Sequence, residues 1–145
     1  MARCAVADRT SAVPTSVRGP SLYATANIRP QIRKIEVYNT TTTACCVAVV
    51  RATATGTQGA GLTEVCLSDD SRTPTATGFN THTADATVGA SIVQATLGAA
   101  AGSGIIWTWG PGEFIIDNAT TAGVVIIAAE GVTGQHLDFS IEWDE

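Results

Sequence analysis

The stretch Leu137-Asp138-Phe139-Ser140-Ile141-Glu142-Trp143 alternates apolar and polar residues without a break. Successive side chains of a strand point to opposite faces, so Leu137, Phe139, Ile141 and Trp143 fall on one side and the polar residues on the other. Four large apolar side chains on one face predict a strand that seals a core. Charge reversal at Glu142, which faces away, is expected to cost little. Helical signal is nearly absent along the chain. Apart from Ala, good helix formers are scarce, and Thr, Val, Ile and Gly dominate. The 145 residues suit one domain. Apolar residues make up 45% and charged residues 14%, which places the chain among compact globular proteins rather than disordered ones.

The same period predicts further strands. Residues 32–39 put Ile35 and Val37 on one side and Lys34, Glu36 and Tyr38 on the other. Residues 44–53 are almost wholly apolar, as in a central strand covered on both faces. Short strands are expected at 21–28, 91–97 and 105–109, the last ending in the turn Gly110-Pro111-Gly112. Residues 113–116 would return from that turn as a hairpin arm. Residues 123–129 would pair with the last strand across the turn 130–135. About eight short antiparallel strands among Gly/Pro/Thr-rich turns define an all-β sandwich or jelly roll. Residues 68–89 read as a long polar loop that lies on a partner, and 98–104 as a flexible connection. Residues 1–20 show no clear period and read as an extended basic arm, leaving 21–145 as a single β-sandwich domain.

Charge is unevenly placed. Residues 1–34 hold six cations against one acid, Asp8, whereas the rest hold two cations against twelve acids. Arg3, Arg9, Arg18, Arg29 and Arg33 are the candidate partner contacts, because a guanidinium fork binds carboxylates on an acidic surface. The net charge of −5 argues against nucleic-acid binding. No apolar run reaches the ~18 residues of a spanning helix, nor the start the 7–15 of a signal peptide, so the expected place of synthesis is a cytoplasm. Cys4, Cys45, Cys46 and Cys66 contain no C-x-x-C pair and read as buried free thiols, with Cys45 and Cys46 on opposite faces.

Catalytic and cofactor motifs are missing. His82 and His136 are the only histidines, too few for a three-histidine metal site of the cupin kind. His82 is expected to be exposed in the long loop. His136 shares a strand face with Asp138, but no G-x-S-x-G elbow accompanies the pair. Lys34, the only lysine, follows no phosphate loop, and Gly56, Gly59 and Gly61 do not make a dinucleotide fingerprint. Asp69-Asp70 reads as a solvated turn. Trp107 and Trp109 share a face and suit core packing, with a sugar platform as the alternative. Catalytic, cofactor and metal residues are expected to be none.

In chain order the sequence carries the blocks IEVYNTT (35–41), TGTQGAGLTE (55–64), FNTHT (79–83), GIIWTWG (104–110) and DFSIEWDE (138–145). Together these resemble the jelly-roll capsid cement, or decoration, proteins of short-tailed bacteriophages, over roughly residues 30–145. The resemblance implies a virion protein on the outside of the phage head, made in the host bacterial cytoplasm. It also implies binding to the major capsid protein and to itself as a homodimer, with no direct contact to nucleic acid or membrane. It implies neither catalysis nor a cofactor. The alternative is a tail- or fibre-associated virion protein involved in host attachment.

Overall fold

The computed structural model describes residues 1–14, 17–68, 71–129 and 135–145. Among them ten strands form and no helix. β1 is Arg3–Arg9, β2 Ser21–Tyr23, β3 Gln31–Asn39, β4 Cys45–Ala54 and β5 Val65–Cys66. β6 is Thr77–Phe79, β7 Thr87–Leu97, β8 Gly104–Thr108, β9 Gly123–Ala128 and β10 Leu137–Asp144. They build two five-stranded antiparallel sheets, ordered β5-β1-β10-β3-β8 and β6-β2-β9-β4-β7.

The pairings follow one rule. β1 pairs with β10, β2 with β9, β3 with β8 and β4 with β7. The chain is therefore one long hairpin whose paired halves alternate between the sheets as it wraps, which is the jelly roll. The tip of this hairpin, between β4 and β7, folds back on the sandwich. There β5 pairs with β1 and β6 with β2, so each sheet is extended on one side. On the other side the sheets end at β8 and β7.

The alternation of β10 holds throughout: Leu137, Phe139, Ile141 and Trp143 are all 3% exposed or less. They pack between the sheets with Cys4, Val6, Ile35, Val37, Val47, Val49 and Ile126. Burying one such side chain contributes about 1.5–3 kcal/mol. β4 is central, and its opposite face is buried too. Cys46, Ala48 and Val50 join Tyr23, Val125, Ile127 and Ala86 in a second cluster. A run apolar on both faces needs cover on both faces.

Several expectations from the sequence need correction. Residues 1–20 are not an extended arm: β1 pairs with β10 along its whole length and buries Cys4 and Val6 completely or nearly so. Small residues at 4–7 hide a period of two that β10's open edge stabilises. The 123–129 stretch does not pair with the last strand. β9 is buried on both faces and lies between β2 and β4, whereas β10 has a polar face and lies in the other sheet. Most of the turn expected to join them, 130–134, lies outside the described residues. Residues 113–116 do not return along β8. They lie beside the start of β3, with Ile32 N donating to Phe114 O at 2.8 Å and Ile116 N to Pro30 O at 2.9 Å. The 68–89 loop contains β6 and the first part of β7 and packs on its own sandwich. The early strand stops at Tyr23, because Asn27 takes a left-handed φ of 73° in a turn.

Candidate interaction surface

The outer face of the first sheet is charged and internally matched. Arg9 holds Asp138 with two parallel bonds, Nε at 2.6 Å and Nη2 at 2.9 Å. Arg3 bonds Asp144 and lies 4.0 Å from Glu142. Arg33 Nε is 3.2 Å from the other Asp144 oxygen. Lys34 sits between Glu36, at 3.0 Å, and Glu142. Register makes this network: Glu142 stands opposite Lys34 on one side and Ala5 on the other, and Asp144 stands opposite Arg3. The bond from Arg9 holds the Asp138 carboxyl below its ordinary range, and Lys34 does the same for Glu36.

Arg18 and Arg29 also find acids within the chain. Arg18 Nε is 2.5 Å from Asp85 and Arg29 Nη2 is 3.1 Å from Asp117. All five arginines singled out from the sequence are thus ion-paired internally, Arg3, Arg9 and Arg33 on the first sheet and Arg18 and Arg29 in the connections between strands.

The second sheet differs. Its five strands carry a single charged residue, Arg51. From Ala86 to Gly112 no charged residue occurs at all. That interval holds β7, the 98–103 connection and β8, which are the terminal strands of the two sheets on the same side of the sandwich. Among the described residues no strand pairs with the outer edge of either. β7 is eleven residues long and mostly exposed, and Ile92 (37%) and Ile106 (50%) add exposed apolar surface. Proteins usually guard such edges with charge, proline, bulges or shortness. β8 is short, and the β4–β7 ladder is irregular between Val49 and Ala54. From Val93 to Leu97, however, the ladder is regular, uncharged and open on its far side.

No comparable opening lies at the titratable groups. His82 is 3% exposed, contrary to its expected place on the surface. Its Nε2 is 2.7 Å from Ser21 Oγ, and its ring packs against Tyr23 at 5.9 Å. That is base-and-nucleophile spacing, yet Ser21 is fully buried and, among the described residues, no carboxylate bonds His82 Nδ1 to orient it. Burial pushes His82 below the ordinary histidine pKa and the Tyr23 phenol up to about 12. The neighbouring Asn80 is buried as well, and its side chain accepts from Ser11 N at 2.7 Å and donates to Asp8 and to Arg9 O. It ties the loop to the end of β1.

His136 is half-buried, with Nδ1 2.9 Å from Thr10 O. A cleft of about 250 Å³ is lined by Arg51, Thr53, Ile116, Asp117 and Thr121. Its charged groups are engaged: Arg51 donates to Ile115 O at 2.6 Å and covers the Phe114 ring, and Asp117 holds Arg29. Trp107 and Trp109 are half-buried and pack against the main core, Trp109 edge-on to Phe114 at 5.0 Å. Asp69-Asp70 lies outside the described residues. Among the described residues no three His, Cys, Asp or Glu gather as metal ligands would, and no helix is long and apolar enough to cross a membrane.

The chain matches no family model, no curated protein and no solved structure.

Proposed function

We propose that this protein is a non-catalytic structural component of a virion, a cement protein on the outside of a phage head that bridges major capsid subunits. The observation that carries this reading is the uncharged, unpaired edge formed by β7 and β8. An extended segment of a partner can add to such an edge through main-chain hydrogen bonds, most readily along Val93–Leu97. Small or stiff residues such as Ala90, Ala95, Thr96 and Gly104 line part of it, and these lose little side-chain entropy on contact. Each contact is weak, but repetition over a shell multiplies it. The major capsid protein supplies the added segment, and a second copy of the chain is the neighbouring partner on the shell.

Two further points support the reading. The jelly-roll order is the fold that the resemblance to cement proteins implies. The paired charges of the first sheet leave a face that is neutral in sum and has no need of a counter-charged ligand.

Stoichiometry in purified virions of the encoding phage tests the proposal. A copy number near that of the major capsid protein is expected. A handful of copies per particle would overturn it in favour of the tail or fibre role, and absence from the particle would overturn both.

A further inference from the structure

Cys4 and Cys66 face each other across the β1–β5 pair. Leu67 N donates to Arg3 O at 2.6 Å, while Arg3 N turns to Ser68 Oγ at 3.0 Å, so Arg3 and Leu67 hold the hydrogen-bonding position of the ladder through one of its two bonds. Cys4 and Cys66, one step further, are then a non-hydrogen-bonded pair. At such positions Cα atoms stand about 4.5 Å apart and the side chains draw together, while a disulfide accepts Cα separations of about 4.4–6.8 Å. Both thiols are free and buried, Cys4 completely and Cys66 to 8% exposure. Cys45 and Cys46 have no equivalent arrangement, being neighbours that point into different clusters.

Access to the pair is through β5. It is a two-residue edge strand, and Val65 (50%) and Leu67 (57%), on either side of Cys66, are exposed. Detaching it gives up little buried apolar surface, so it belongs to the least stable part of the structure. Detachment bares Cys66, which β5 carries, and takes away the cover that β5 gives Cys4. While β5 is docked, burial and the nearby Cys66 push the Cys4 thiol up, which keeps it unreactive until the strand opens.

We propose that Cys4 and Cys66 form a redox site that closes into an intramolecular disulfide, with a small disulfide of the glutathione class as oxidant. The Cys66 thiolate attacks one sulfur of the oxidant, forming a mixed disulfide and releasing one small thiol. The Cys4 thiolate then attacks Cys66 Sγ and expels the second. Two protein thiols lose two electrons, one small disulfide gains them, and both protons leave on the released thiols. The product staples the folded-back tip of the long hairpin to β1. This inference stands on the β1–β5 register and does not depend on the cement role.

The test uses the reduced full-length protein and oxidised glutathione at about pH 8.5, near the ordinary thiol pKa. The free-thiol count in denaturant is expected to fall from four to two. Tryptic mapping is expected to join peptide 4–9 to peptide 52–72, leaving peptide 35–51 with both thiols free. The oxidised form should melt at a higher temperature than the reduced form. Cys66→Ser should retain its remaining thiols under the same treatment, and Cys46→Ser should still close. Four surviving thiols, a bridge to peptide 35–51, or bridging only between chains would overturn the proposal, and the mapping needs no variant to fold.

Discussion

Trp143 is the residue on which the two sheets most depend. It is fully buried near the end of β10, between β1 and β3, and its Nε1 donates to Glu145 Oε2 at 3.0 Å. Trp143→Ala removes the whole ring from the main cluster, and such core truncations cost about 3–5 kcal/mol. Domains of this size are stable by about 5–15 kcal/mol, so the variant should survive with a small margin. At roughly 4 °C per kcal/mol, the melting midpoint should drop by about 12–20 °C. Trp143→Phe keeps an aromatic ring but drops the bond to the carboxylate, for a loss of about 1.5–3 kcal/mol. Calorimetry, with urea unfolding followed by far-ultraviolet circular dichroism, measures both. A loss under about 1 kcal/mol for Trp143→Ala would show that β10 does not sit between β1 and β3 as described.

Other outcomes follow from the same contacts. Deleting residues 1–9 removes β1 and uncovers β10, so the truncated chain should lose its cooperative melt; an unchanged melt would restore the arm reading. Glu142→Lys places a third cation beside Lys34 and Arg3 and should cost about 1 kcal/mol or more, against the small effect expected from alternation alone; equal stability in a urea titration would show the network to be inert. His82 is held below its ordinary value of 6.5, so below about pH 6.5 the unfolded chain takes a proton that the folded chain refuses. Stability should therefore fall as pH drops from 7, by at most about 1.4 kcal/mol per unit, and His82→Gln should flatten that slope. Gln94→Lys with Thr96→Lys alters two exposed residues of β7 and should leave stability within about 0.5 kcal/mol while abolishing binding to phage heads. Retained binding would show that the edge is not the contact.

The sequence made strands legible where large side chains mark the period, as in β10 and β3, and where an unbroken apolar run demands two covered faces, as in β4. It also located the β8 turn, where Gly112 takes a φ of 80°. Where the inward residues are small, as Cys4 and Val6 are in β1, the period carried too little contrast to be read. Pairing was the harder problem. β9 and β10 are consecutive, so a hairpin is the simplest connection, and only the apolar outer face of β9 argues for the opposite sheet. Opposite charges distant in sequence, such as Arg9 and Asp138, cannot be matched before the register is known, which is why the arginines read as contacts for a partner. The uncharged interval from Ala86 to Gly112 was visible in the sequence all along. Its meaning as an edge appears only when β7 and β8 are seen to end their sheets on the same side.

Electron microscopy of intact virions tests the account most directly. It predicts density for the ten-stranded sandwich on the outer surface of the head, with the β7–β8 side against the major capsid protein. Density confined to the tail, or a head contact made through the ion-paired face of the first sheet, would contradict it.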